Sequence, residues 1–260
     1  MEFQNMSIHL NKDKSIGKVL FIVEGGWTEP YILRRIFTTI FDYQFETILR
    51  DKGYKIYNSK ENPFSQVFVV NAEESNIKNI SRDNKFLTAL FKELITNYDF
   101  DVDNAAIYYV FDRDSKSNVD KNFIENMISL LVNSRDNPGY DRQGMLLLSY
   151  PSIESFTVSG FENNVLDLQF DTGNAVKVYT SKNNINHQKL SEEVLLHAVK
   201  ELFDSFCKIG VNNINLDDFA ENNKAVYDYE ESEFARNKMY RVLSLLSVAF
   251  IDLGLIEVIE

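Results

Sequence analysis

The chain has 260 residues, 44% of them apolar, enough to bury a substantial core as one large domain or two small ones. Its net charge of −12 counts against autonomous, tight, non-specific DNA binding, and no run of Lys and Arg offers a basic patch. No apolar stretch suits a membrane span, no basic-then-apolar leader is evident, and the single cysteine, Cys207, excludes an internal disulfide framework and fits a reducing cytoplasm.

In chain order, the residues before Ile16 are polar and read as a loose arm. Val19 to Val23 is a run of apolar residues of the kind buried on both faces at the centre of a parallel sheet. It stops at Glu24, and Gly25-Gly26 then allow a sharp turn and a close approach of backbone to ligand. Thr28 is an N-cap candidate, with Pro30 in the first turn of a helix that carries Tyr31, Ile32, Leu33, Ile36 and Phe37 and runs through Ile40 and Phe41. Asp51 to Pro63 is polar, with turn signals at Gly53, Asn58, Ser59 and Asn62-Pro63.

Gln66 to Val70 is a second buried strand, followed by Asn71, Glu73 and Glu74. That acid pair reads as a solvated loop, with a place at a neighbouring site as the alternative. Phe86, Leu87, Leu90, Phe91, Leu94 and Ile95 recur at helical spacing. Ala105 to Phe111 is a third strand and runs into Asp112 and Asp114. Extended alternation there would put both carboxylates on one face and Arg113 on the other. Ser115 to Asn118 is a polar loop able to overhang that edge. Asp120 to Val132 is an amphipathic helix, Asn137-Pro138-Gly139 breaks the chain, and Met145 to Leu148 is a fourth strand closing on Ser149-Tyr150-Pro151. Connections of this length predict an α/β fold whose four strands are parallel, with right-handed crossovers.

Beyond Gly160 the composition changes. Phe161 to Asn186 is Asn-rich and predicted to be partly irregular, and Leu190 to Ile209 reads as a helix with Glu192 and Glu193 near its start. Cys207 sits among Leu202, Phe203, Phe206 and Ile209 as an inert core thiol. Asn212 to Glu233 is polar and acidic and reads as a linker, a lid or a partner-facing loop. Arg236 to Leu253 is a predicted final helix. His9, His187 and His197 are too scattered to suggest zinc.

One acid at a strand end is ordinary. Two parallel strands that deliver Glu24, Asp112 and Asp114 to one carboxyl edge are more specific, because open α/β sheets bind ligands there. Three crowded carboxylates repel one another and invite a hard cation such as Mg²⁺ or Mn²⁺.

With Val23-Glu24-Gly25-Gly26-Trp27-Thr28-Glu29-Pro30, Tyr109-Val110-Phe111-Asp112-Arg113-Asp114 and Ser149-Tyr150-Pro151-Ser152-Ile153-Glu154 in view, the chain resembles a TOPRIM domain. That family pairs Glu-Gly after its first strand with Asp-x-Asp after its third, and the wording is closest to the RloB-like and OLD-family nucleases. Trp27 has no counterpart in this pattern. The resemblance implies a catalytic domain over residues 1–160, a mainly helical extension over 161–260, and a further acid at Glu154. It also implies a Mg²⁺- or Mn²⁺-dependent endonuclease in which Asp112 and Asp114 hold the ion, Glu24 ligates it or acts as general base, and Glu154 holds a second one.

The setting implied is bacterial anti-phage defence, with the chain a toxic cytoplasmic effector, a regulatory ATPase as a candidate partner and a homodimer as one assembly. Net acidity puts RNA, tRNA included, ahead of DNA as substrate. The alternative is a catalytically silent TOPRIM-like or receiver-like Mg²⁺-binding module controlled by such an ATPase.

Overall fold

The computed structural model describes residues 6–46, 54–72, 76–81, 85–137, 143–211 and 214–259. In chain order the elements begin with β1 (Ser7–Leu10), β2 (Lys18–Val23), α1 (Thr28–Arg35), β3 (Tyr43–Glu46), β4 (Lys55–Ser59) and β5 (Gln66–Asn71). There follow α2 (Lys85–Tyr98), β6 (Ala106–Asp112), α3 (Lys121–Leu130), β7 (Val132–Asn133), β8 (Gly144–Tyr150) and α4 (Glu154–Phe161). The remainder comprises β9 (Gln169–Phe170), α5 (Gly173–Lys182), α6 (Glu192–Lys208), α7 (Ala220–Asn237), β10 (Tyr240–Arg241), β11 (Leu243–Ser244), α8 (Leu246–Asp252) and β12 (Ile256–Ile259).

The main sheet runs β11-β8-β6-β2-β5-β4-β3, with β7 paired to β8. β2 is parallel to both neighbours, with Val23 opposite Asn71 of β5 and Val110 of β6. β4 and β3 extend the β5 side antiparallel, and β11 is antiparallel to β8. The sheet is therefore mixed and eight-stranded, wider than the four parallel strands predicted, of which β2, β5 and β6 are parallel. β3 and β4 went unread in the sequence because Tyr43 and Phe45, and the Ile56-Tyr57 pair, stand among polar residues and turn formers. The acids Glu73 and Glu74 lie outside the described residues.

The chain forms two compact units, one of Ser15–Val110 with Asp120–Leu146 and the other of residues up to Lys14, Phe111–Val119 and everything from Leu147 on. In the first, Val19, Leu20, Phe21, Ile22 and Val23 are fully buried, as an apolar run with helices or strands on both faces requires. Phe37 is the centre of an aromatic cluster, with ring centroids 5.5 Å from Tyr43, 6.0 Å from Phe21 and 6.1 Å from Tyr57. α3 starts on Asp120, whose carboxylate accepts from the Phe123 N–H at 3.1 Å, and this satisfies one of the donors a helix start leaves open.

In the second unit α4 is buried along its length from Glu154 to Gly160. Gly160 is the residue that lets α6 come close, since a side chain there would overlap Val194. α6 is capped by Ser191 and carries Glu192 and Glu193 in its first turn, where acids complement the helix dipole. β1 pairs antiparallel with β12, Ser7 opposite Ile259, so residues predicted to be a loose arm form a strand. The Asn-rich stretch predicted to be partly irregular contains α5 between loops and short turns.

The acidic stretch predicted to be a linker, lid or partner loop is instead largely α7, in which Glu230, Glu231 and Glu233 are buried. α7 ends where Lys238 adopts a left-handed conformation at φ 58°. The predicted Arg236–Leu253 helix is accordingly replaced by β10, β11 and the short α8. Among the described residues no helix is long and apolar enough to cross a membrane.

Candidate functional site

Glu24 is the first residue beyond β2. It is 8% exposed, and its N–H donates to the Val110 carbonyl at 3.0 Å, prolonging the β2–β6 ladder by one bond. Gly25 then turns tightly enough for its N–H to donate to Glu29 Oε1 at 2.9 Å, and any side chain at position 25 would strike that carboxylate. Trp27, 89% exposed, precedes α1 as its N-cap without a capping side-chain bond, the place expected for Thr28. A cavity of about 450 Å³ lined by Tyr54, Asn71, Lys85 and Phe86 adjoins the end of β5.

Asp112 closes β6, and Arg113 and Asp114 come directly after it. Arg113 is buried with 4% exposure while both aspartates are partly exposed, so the side chains alternate as extended backbone dictates. Asp112 Oδ1 accepts from the Ile153 N–H at 2.7 Å, directly before α4. Asp114 Oδ2 accepts from the Gly173 N–H at 2.7 Å, the first residue of α5, and Oδ1 accepts from the Lys116 N–H at 2.7 Å. Each aspartate thus meets the open N–H groups and positive dipole end of a helix. Gly173 is packed so closely against Ser152 and Asp114 that a side chain there would have to displace Ser152.

Glu154 opens α4 and is 8% exposed. Its Oε2 accepts from the Ser152 hydroxyl at 2.7 Å, and Oε1 lies 3.6 Å from Lys177 Nζ on α5. With Lys177 58% exposed, that ion pair is weak. Burial pushes the His187 imidazole below its ordinary value, and the nearby Glu154 charge pulls the other way. Asp112, Asp114 and Glu154 therefore share one neighbourhood, joined by the Ser152-Ile153 turn and Gly173.

Beneath it, Arg113 is held from several sides. Its N–H donates to the Ser149 carbonyl at 2.8 Å, and a guanidinium NH donates to the Asn118 carbonyl. Nε lies 2.8 Å from Glu231 Oε1 of α7, an ion pair whose N–H is not aimed at the oxygen. The guanidinium also lies 5.7 Å from the Tyr240 ring centre. Asn118 closes the loop by donating its amide to the Asp112 carbonyl at 2.6 Å.

Carboxylate oxygens are the right donors for Mg²⁺ or Mn²⁺. As arranged, though, the two aspartates and Glu154 accept from N–H and O–H groups. Among the described residues, no three His, Cys, Asp or Glu side chains are gathered so as to hold a metal ion. The donor set fits the ion, and the arrangement of the described residues does not.

Sequence reasoning missed Ser152, Gly173, Lys177, His187 and Glu231. Gly173, Lys177 and His187 fall in or just past the Asn-rich stretch, and Glu231 in the acidic one. A period of three to four did run through Phe219, Val226, Tyr227 and Phe234, but Asn223 and Glu230 on the same face hid it. No protein-family model, curated protein or solved structure matches the chain.

Proposed function

We propose that the chain is a divalent-metal-dependent phosphodiesterase of the TOPRIM kind that cleaves nucleic acid. The supporting observation is that β2 and β6, adjacent parallel strands, both run into acids, Glu24 after the one and Asp112 and Asp114 at the end of the other. In this reading Asp112 and Asp114 would hold the ion and Glu154 a second one, each giving up the N–H or O–H bond it accepts in the structure, and the ion when bound would polarise a phosphate and activate water. Glu24 serves as a further ligand or as general base. The Ser152 hydroxyl orients Glu154, and the exposed Lys177 ammonium adds a point charge suited to a phosphate. With a net charge of −12, a compact RNA gripped at few points suits the chain better than long duplex DNA, whose binding depends on many neutralised phosphates. A toxic effector of anti-phage defence, under the control of a partner ATPase, is the setting that the resemblance suggests.

A second reading, a silent interaction module, draws support from the helix-capping bonds of Asp112 and Asp114. Incubating the purified protein with Mg²⁺ or Mn²⁺ against labelled DNA and total RNA separates the two. Cleavage that disappears in Asp112→Asn supports the nuclease. Intact substrates with either ion, alongside a well-folded protein, would leave the module.

A further inference from the structure

Arg113 stands between the two candidate ligands and points away from them into the interior of its unit. A buried guanidinium is costly unless its charge is met, and replacing a buried ion pair with apolar side chains is often neutral or stabilising. Stability alone is therefore a weak reason for Arg113 and Glu231 to lie 2.8 Å apart at 4% and 6% exposure. What the pair does achieve is geometric. A main-chain bond to Ser149, a side-chain bond to Asn118 and the ion pair with Glu231 fix residue 113 at once. With that residue fixed, alternation leaves Asp112 and Asp114 one direction each, toward the Ile153 and Gly173 N–H groups.

We propose that Glu231, acting through Arg113, is the positioning residue for the Asp112 and Asp114 carboxylates. It lies more than a hundred positions away in sequence, and it makes the Asp-Arg-Asp stretch a device with its counter-charge on α7. The proposal rests on the phosphodiesterase reading only for its kinetic consequence, since the geometric one exists without any reaction.

The test compares Glu231→Gln, Arg113→Lys and the charge-free double variant Arg113→Met with Glu231→Gln by amide hydrogen exchange. Glu231→Gln leaves a buried guanidinium unpaired and is expected to be the least stable. The double variant removes both charges and is expected to melt near wild type. Even so, the Ile153 and Gly173 amides should exchange about tenfold faster in it, as local anchoring is lost. The Phe123 and Val194 amides, capped elsewhere by Asp120 and Ser191, should keep their protection. Arg113→Lys retains the charge without the fork and should fall between, and it decides the matter if the double variant does not fold.

Wild-type protection at Ile153 and Gly173 in the double variant, or in Arg113→Lys should that be the one that folds, would overturn the proposal. If wild type cleaves nucleic acid, the same variants should lose kcat by about tenfold or more with KM little changed, because misplaced groups cost rate before binding. If wild type cleaves nothing, the phosphodiesterase reading falls and the exchange data still decide the positioning role.

Discussion

Glu230 is fully buried on α7, and burial pushes its carboxyl well above the usual carboxylate range. The Arg241 N–H, which donates to Oε2 at 2.9 Å, and the Arg241 charge offset this in part, while Glu233 and Glu231 reinforce it. The Tyr150, Tyr227 and Tyr240 rings are close by, with Arg113 beyond. Oε1 has no hydrogen-bond partner among the described residues. The group is thus protonated in the folded protein at pH values where the unfolded chain has lost that proton.

A raised folded value means stabilisation that is complete below the unfolded value, 4.5, and is lost as pH rises through the folded one. One proton corresponds to about 1.4 kcal/mol per pH unit. Glu230→Gln keeps the acceptor for the Arg241 N–H and carries no titrating proton. Urea unfolding of both proteins between about pH 5 and pH 7 should show the variant gaining on wild type by roughly 1.4 kcal/mol per unit until the folded value is reached. Parallel stability curves over that range would refute a neutral Glu230.

Gly160→Ala should destabilise by about 1–3 kcal/mol in the same assay, because the added methyl meets Val194 on α6. Glu24→Gln and Asp112→Asn should each abolish cleavage while leaving circular dichroism unchanged, both being near-isosteric losses of charge. Residual cleavage at the wild-type rate in either would remove that residue from the reaction. Mn²⁺ in excess over EDTA should raise the melting temperature of wild type and not of Asp112→Asn, with about 2.7 kcal/mol expected at a hundredfold excess over the dissociation constant.

The strands nearest the candidate site were legible because burial on both faces leaves an uninterrupted apolar signature. Val19 to Val23, Val67 to Val70 and Ile107 to Phe111 all show it, and β2, β5 and β6 match the expected bounds within a residue or so. Beyond Gly160 the helix predicted over Leu190–Ile209 matches α6, but most of the rest was not legible, since its packing relies on polar residues placed inside. α7 buries Asn222, Asn223, Glu230, Glu231 and Glu233 alongside Val226 and Tyr227, so hydropathy reports a solvated stretch where the chain is interior. The same limit hid the partners of the candidate acids. That Asp112 and Asp114 precede two helices in space depends on Ile153 and Gly173, roughly 40 and 60 residues on, which no local pattern connects to them.

The pairing of β1 with β12 has a consequence for biosynthesis. Every segment of the Ser15–Val110 and Asp120–Leu146 unit is synthesised before α4, whereas the unit bearing Asp112, Asp114 and Glu154 needs Leu10 to meet Ile256. At about 5–20 residues per second, that leaves on the order of ten seconds in which the nascent chain holds a finished sheet core but not its last ladder. Arg113 has no Glu231 to meet during most of this interval. A nascent chain stalled before α7 would therefore present both aspartates without their anchor.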